Sequence, residues 1–153
     1  MTGGPGPRAV EPPSRRPVRM VVGYDGSDPS YRAVRFALGV ARWGGASIWL
    51  VHAAQPPASV MEPRTDEEQR SEVDAIRQTL HALEAEALRE GLLLTAWSRA
   101  GSPAEVLLAA SDEVEADWIV VGTRGLRGAS KTLLGSVSTM ILDRSRRPVT
   151  VVP

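Results

Sequence analysis

The sequence predicts an α/β fold in which a parallel sheet is covered by helices on both faces. Two observations support this. From Val18 to Val152, short apolar runs alternate with amphipathic stretches, giving five strands separated by four helices. One of those runs, Trp118–Val121 (WIVV), is apolar without a break, as expected of a central parallel strand buried on both sides. Periodicity leaves the strand order open, although right-handed crossovers leave few topologies.

Residues 1–17 (MTGGPGPRAVEPPSRRP) carry five prolines, three glycines and little to bury. Such a segment cannot offset its ordering entropy, so a disordered tail is expected, with one domain spanning 18–153. Val18–Tyr24 is the first strand, stopped by Asp25-Gly26. Ser27 or Asp28 then caps a helix with Pro29 near its first position. Ala33, Phe36, Ala37, Val40 and Ala41 are expected on its buried face, and Gly44-Gly45 ends it. Ala46–Ala53 is the second strand, followed by a loop, Ala54–Arg64, with three prolines.

Thr65 and Glu68 have the spacing of a capping box. The helix they open carries Val73, Ile76, Leu80, Leu83 and Ala87 on one stripe and ends at Gly91. Leu92–Ser98 is the third strand. Ser102-Pro103-Ala104-Glu105 suggests a second capping box, starting a helix that runs to about Val114 and buries Val106, Leu107 and Ala110. After Trp118–Val121 come a glycine-rich loop, a helix from Ser136 to about Arg144, and a last strand, Pro148–Val152.

Composition narrows the function. Eighteen basic residues balance eighteen acidic ones, so no basic surface is forced and nucleic acid is a poor candidate partner. Cysteine is absent, which removes disulfides, thiol catalysis and thiolate metal sites. His52 and His81 lack a metal-ligand spacing. His52 reads as a packed, hydrogen-bonded residue and His81 as a solvated one. Trp43, Trp49, Trp97 and Trp118 read as core or edge packing. No apolar run approaches the ~18 residues that span a bilayer, and the N-terminus lacks a secretory pattern. A cytoplasmic protein without a membrane partner is the expectation.

The chemistry concentrates after the fourth strand, in VVGTRGLRGASKTLLGSVSTMILDRS. Gly122, Gly125, Gly128 and Gly135 punctuate this stretch, with Thr123 between them and Ser136 directly after. A phosphate chain needs unpaired backbone N–H groups and close approach of the main chain, and glycine allows both. Gly135-Ser136 then opens a helix whose first amides and positive dipole end favour an anion. Ser136 and Ser138 can add hydroxyl donors, while Arg124, Arg127 and Lys131, the single lysine, can offset negative charge. Solvated arginines and a purely structural Asp25 turn are the competing readings. Neither G-x-x-x-x-G-K-[ST] nor G-x-G-x-x-G is present, which disfavours a P-loop NTPase and a dinucleotide dehydrogenase.

The spacing Gly122-x2-Gly125-x9-Gly135-Ser136 resembles the G-x2-G-x9-G-[ST] pattern of the ATP-binding branch of the universal stress protein family. The likeness extends over VVGYDGS, LVHA, GSPAEVLLAA and the terminal PVTVV. It implies a Rossmann-like three-layer sandwich whose five strands run in the order 3-2-1-4-5. The ends of strands one and four would then flank a switch-point crevice. Carried over by residue, Gly23 and Asp25 would lie by the adenosine and Ala53 would line the adenine pocket. Gly122, Gly125, Gly135, Ser136 and Val137 would hold the phosphates, with Thr123 and Gly128 in the same loop. Family members often carry a larger aliphatic residue where Ala53 stands.

The resemblance thus implies an ATP-binding regulatory protein of the stress response, with ADP or AMP as alternatives and Mg²⁺ an accompanying ion that Asp25 could contact indirectly. It also implies a homodimer through Pro148–Val152, an apolar strand at the sheet edge. No carboxylate or histidine lies in the loop to position an attacking water, so hydrolysis should be slow or absent. A slow ATPase or phosphotransferase, or a dimeric interaction module with a vestigial nucleotide site, are the alternatives.

Overall fold

The computed structural model describes residues 16–54, 65–123 and 134–153. Strands β1 (Val18–Gly23), β2 (Ala46–Ala54), β3 (Leu93–Ala100), β4 (Trp118–Gly122) and β5 (Val149–Val152) alternate with helices α1 (Asp28–Gly44), α2 (Asp66–Arg89), α3 (Pro103–Glu113) and α4 (Ser136–Arg144). The strands form one parallel sheet in the order β3-β2-β1-β4-β5. This is the α/β sandwich and the strand order that the sequence and its resemblance imply.

Side-chain alternation along the central strands builds two cores. On β1, Met20 and Val22 join Val34, Leu38, Leu80 and Leu83 beneath α1 and α2. Val21, between them, faces the other way and packs with Leu107, Ala110, Ile119, Val121 and Ile141 beneath α3 and α4. Each such buried aliphatic side chain contributes roughly 1.5–3 kcal/mol. Both faces of β1 and β4 are therefore sealed, and only the strand ends remain to carry function.

Helix starts follow the expected chemistry with one exception. Ser27 caps α1, its side chain accepting a hydrogen bond from the Ser30 N–H, with Pro29 in the first turn. The α2 capping box is complete: Thr65 Oγ1 accepts the Glu68 N–H at 3.2 Å and Glu68 Oε2 accepts the Thr65 N–H at 2.9 Å. At α3, Ser102 holds the cap position but its side chain makes no capping hydrogen bond, so the second box does not form.

The buried face of α1 is rotated from the expected one. Ser30, Ala33, Val34, Ala37, Leu38 and Ala41 are buried, whereas Phe36 is 38% exposed and Val40 half-buried. Phe36 instead stands edge-on to Trp118, with ring centroids 5.9 Å apart. On α2, Val73 is 52% exposed, and the stripe becomes fully buried only from Leu80. Trp43, expected to pack, is 95% exposed at the end of α1.

The start of β4 is fastened to β1 by Asp117. Its N–H donates to Arg19 O at 2.8 Å, and its carboxylate accepts the Arg19 N–H at 2.9 Å. Arg16, at the end of the expected tail, adds two guanidinium hydrogen bonds to the same carboxylate. The Arg19 N–H, followed by the Arg16 guanidinium, holds the Asp117 carboxyl below the usual carboxylate range. A carboxyl whose folded pKa is depressed stabilises the fold above its unfolded pKa and loses that contribution as pH falls. Asp117→Asn should therefore cost about 1 kcal/mol at pH 7, a modest figure because the side chain is partly exposed and screened. Urea denaturation should show the gap to wild type closing as pH drops below about 4.

Candidate functional site

The carboxyl ends of β1 and β4 lie side by side, and their crossovers leave in opposite directions, to β2 and to β5. This is the switch point at which open α/β sheets form a crevice. Gly122, the last residue of β4, lies hard against the first turn of α1. A Cβ there would fall 2.6 Å from the Pro29 carbonyl carbon and 2.7 Å from Ser30 N, both backbone atoms that cannot swing aside. Gly23, ending β1, is less constrained, because its Cβ would meet the Leu107 side chain at 3.0 Å.

Asp25 heads the turn between β1 and α1. Its Oδ1 accepts the Ser27 N–H at 3.0 Å and the Ser27 hydroxyl at 2.5 Å, while Gly26 takes the left-handed conformation with φ +84°. The structural job weighed for Asp25 in the sequence is thus present in the fold. Among the described residues, its Oδ2 carries no hydrogen bond. Ser30 braces this turn from within: its Oγ accepts the Asp25 N–H at 3.3 Å and donates to Ser27 O at 2.8 Å, while its backbone nitrogen lies against Gly122. Sequence reasoning missed Ser30. The available signal was a second serine three residues after the Ser27 cap, on the helix side that turns inward.

Beyond Gly122 the chain re-enters the described structure at Leu134. A backbone clasp joins the two described flanks: the Gly135 N–H donates to Thr123 O at 2.7 Å, and the Thr123 N–H donates to Val152 O at 2.8 Å. Ser138 Oγ braces the clasp, within hydrogen-bonding distance of Thr123 O at 3.2 Å and Gly135 O at 3.0 Å. The first bond into the α4 ladder runs from the Thr139 N–H to Gly135 O. The N–H groups of Ser136, Val137 and Ser138 therefore have no acceptor within the helix, and Gly135 supplies no side-chain cap. Of these three residues, Ser136 is exposed, Val137 half-buried and Ser138 buried.

The fold thus brings Gly23, Asp25, Gly122, Thr123, Gly135, Ser136, Val137 and Ser138 to one end of the sheet. Ala53 is half-buried near the end of the neighbouring β2, on the α3 and α4 side. Arg124, Gly125, Arg127, Gly128 and Lys131 lie outside the described residues. His52 is half-buried beside Ala53, its Nδ1 2.9 Å from Tyr24 O, in the packed and hydrogen-bonded setting expected of it. Burial raises the Tyr24 hydroxyl pKa against an opposing hydrogen bond with Thr79. Among the described residues, no three metal-ligating side chains converge.

Residues 18–153 match the Universal stress protein family. The chain belongs to that family. A universal stress protein of Thermus aquaticus is 34% identical over 137 residues, covering 87% of this chain and 96% of the relative. A universal stress protein crystallised in complex with cAMP is 31% identical, with a TM-score of 0.65 over 89% of this chain and 96% of its own. An Archaeoglobus fulgidus family member, solved in complex with dAMP, is 25% identical and has a TM-score of 0.60 over 90% of this chain and 97% of its own. No helix among the described residues of this universal stress protein is long and apolar enough to cross a membrane.

The contact at Gly122 makes its own prediction. Gly122→Ala should destabilise the fold by about 1–3 kcal/mol, because the new methyl meets backbone rather than a movable side chain. Gly23→Ala should cost less, since Leu107 can yield. Urea unfolding of the two variants beside wild type checks the ranking.

Proposed function

We propose that this universal stress protein binds an adenine nucleotide, ATP foremost, in the crevice at the ends of β1 and β4. The observation that carries the reading is the uncapped start of α4, held beside the β4 end by the Thr123–Gly135 clasp. Three amides without helical acceptors at the positive end of a helix dipole suit a phosphate chain. Solved relatives in complex with cAMP and dAMP support an adenine nucleotide as the ligand.

In this reading Gly122, Thr123, Gly125, Gly128 and Gly135 to Ser138 wrap the phosphates, with Arg124 and Arg127 offsetting their charge. Gly23 and the Asp25 carboxylate face the adenosine, and Ala53 borders the base. Mg²⁺ arrives on the phosphates, with Asp25 as an indirect contact, and supplies further charge neutralisation when bound. The segment from Gly122 to Ser138 holds no carboxylate or imidazole to orient an attacking water. Occupancy rather than turnover is then the output, and nucleotide binding sets the surface offered to protein partners in the cytoplasm. The partly buried edge strand β5 suits pairing with a second copy of the chain.

Titration calorimetry with ATP, ADP and AMP tests the reading. Saturable ATP binding at micromolar concentration is expected, with Asp25→Ala weakening it about tenfold. Absence of binding at millimolar nucleotide would overturn it. Single-turnover hydrolysis should fall below the ~1 s⁻¹ floor of ordinary enzymes, and a rate well above that floor would favour an ATPase.

A further inference from the structure

The turn carrying Asp25 needs more than its own hydrogen bonds to hold its place. Tyr24 is the first residue past β1, where the strand ladder has ended. Two hydrogen bonds nevertheless bind it to β2. Its N–H donates to Val51 O at 3.0 Å, a main-chain bond that continues the β1–β2 pairing. Its carbonyl, one bond from the Asp25 nitrogen, meets His52 Nδ1 at 2.9 Å. A carbonyl oxygen only accepts, so Nδ1 must carry the proton and donate. That contact fixes the imidazole tautomer and pins the Tyr24–Asp25 peptide plane from its oxygen side. Ser30 Oγ holds the same plane from its nitrogen side, accepting the Asp25 N–H at 3.3 Å. One peptide is thus gripped at both ends by side chains from two different elements.

We propose that His52 is a positioning residue for the nucleotide site, its Nδ1–H holding the Tyr24–Asp25 peptide so that the Asp25 carboxylate is presented to the crevice. The proposal rests on the adenine-nucleotide reading for its functional consequence, but the geometric step stands apart from it. Without the Nδ1–H donor, the Tyr24 carbonyl loses its partner and the peptide gains freedom to rotate. Asp25 then spends part of its time turned away from the ligand, which lowers apparent affinity by the fraction lost.

Two substitutions separate hydrogen bonding from packing. His52→Leu keeps apolar bulk and removes the donor. His52→Asn loses bulk but keeps a nitrogen donor bonded to Cγ, the position Nδ1 occupies. Calorimetry with ATP on the full chain should show His52→Leu weakened about tenfold and His52→Asn restored to within about threefold of wild type. On an Asp25→Ala background, His52→Leu should add little, because its effect passes through Asp25. Amide exchange of Ser27, whose N–H is held by Asp25 Oδ1, should quicken in His52→Leu and recover in His52→Asn. Equal binding by wild type and His52→Leu, equal loss in both variants, or full additivity with Asp25→Ala would overturn the proposal. If wild type binds no ATP, the nucleotide reading falls by itself. The Ser27 exchange rates then decide the positioning step, and unchanged rates in His52→Leu would overturn it.

Discussion

At Gly122 the carboxyl end of β4 approaches the first turn of α1 so closely that a single added carbon would sit 2.6 Å from backbone. Much of the site's arrangement depends on that approach. It sets the Ser27–Ser30 turn against the sheet and, through Ser30 Oγ, fastens the backbone of Asp25. It also sends the chain past Thr123 alongside β5, where the Thr123 N–H donates to Val152 O and the Thr123 carbonyl accepts from Gly135. A larger residue would push β4 and α1 apart and disturb both walls of the crevice.

The crevice is therefore made by main-chain geometry more than by side chains. Its α4 wall consists of amides with no acceptor inside the helix, braced by Ser138 from inside the fold. Its β1 wall is a turn in which Asp25 Oδ1 accepts from the Ser27 N–H and hydroxyl. The α4 amides suit acceptor oxygens, whereas the Asp25 carboxylate, which only accepts, suits a donor such as a hydroxyl or an amine. The segment from Gly122 to Ser138 holds no carboxylate or imidazole, and its side chains are hydroxyls, aliphatics, two arginines and Lys131.

Much of this was legible in the sequence because local chemistry determined it. The Thr65–Glu68 box, the uninterrupted WIVV strand and the Gly135-Ser136 helix start all depend on neighbouring residues, and all appear where expected. Strand order came through family resemblance, since period alone does not order a parallel sheet. Errors arose where tertiary packing overrides the reading of residue type. On α1, bulky Phe36 looked like a core residue, yet the inward face is largely small and aliphatic, and Phe36 lies off it against Trp118. Trp43, expected to pack in the core or at an edge, stands 95% exposed in the last turn of α1. The Thr123–Gly135 clasp and the grip on Tyr24 involve backbone partners distant in sequence, which no side-chain pattern reports.

The β1 and β4 ends, with the start of α4 beside them, are the proposed place of an adenine nucleotide. Amide chemical-shift mapping of the full chain during ATP titration tests that placement most directly. Saturable shifts are expected at Gly23, Asp25, Gly122, Thr123 and Ser136 to Ser138, with little change at the opposite end of the sheet around Asp112 and Arg147. Shifts centred on that opposite end, or none at saturating ATP, would contradict it.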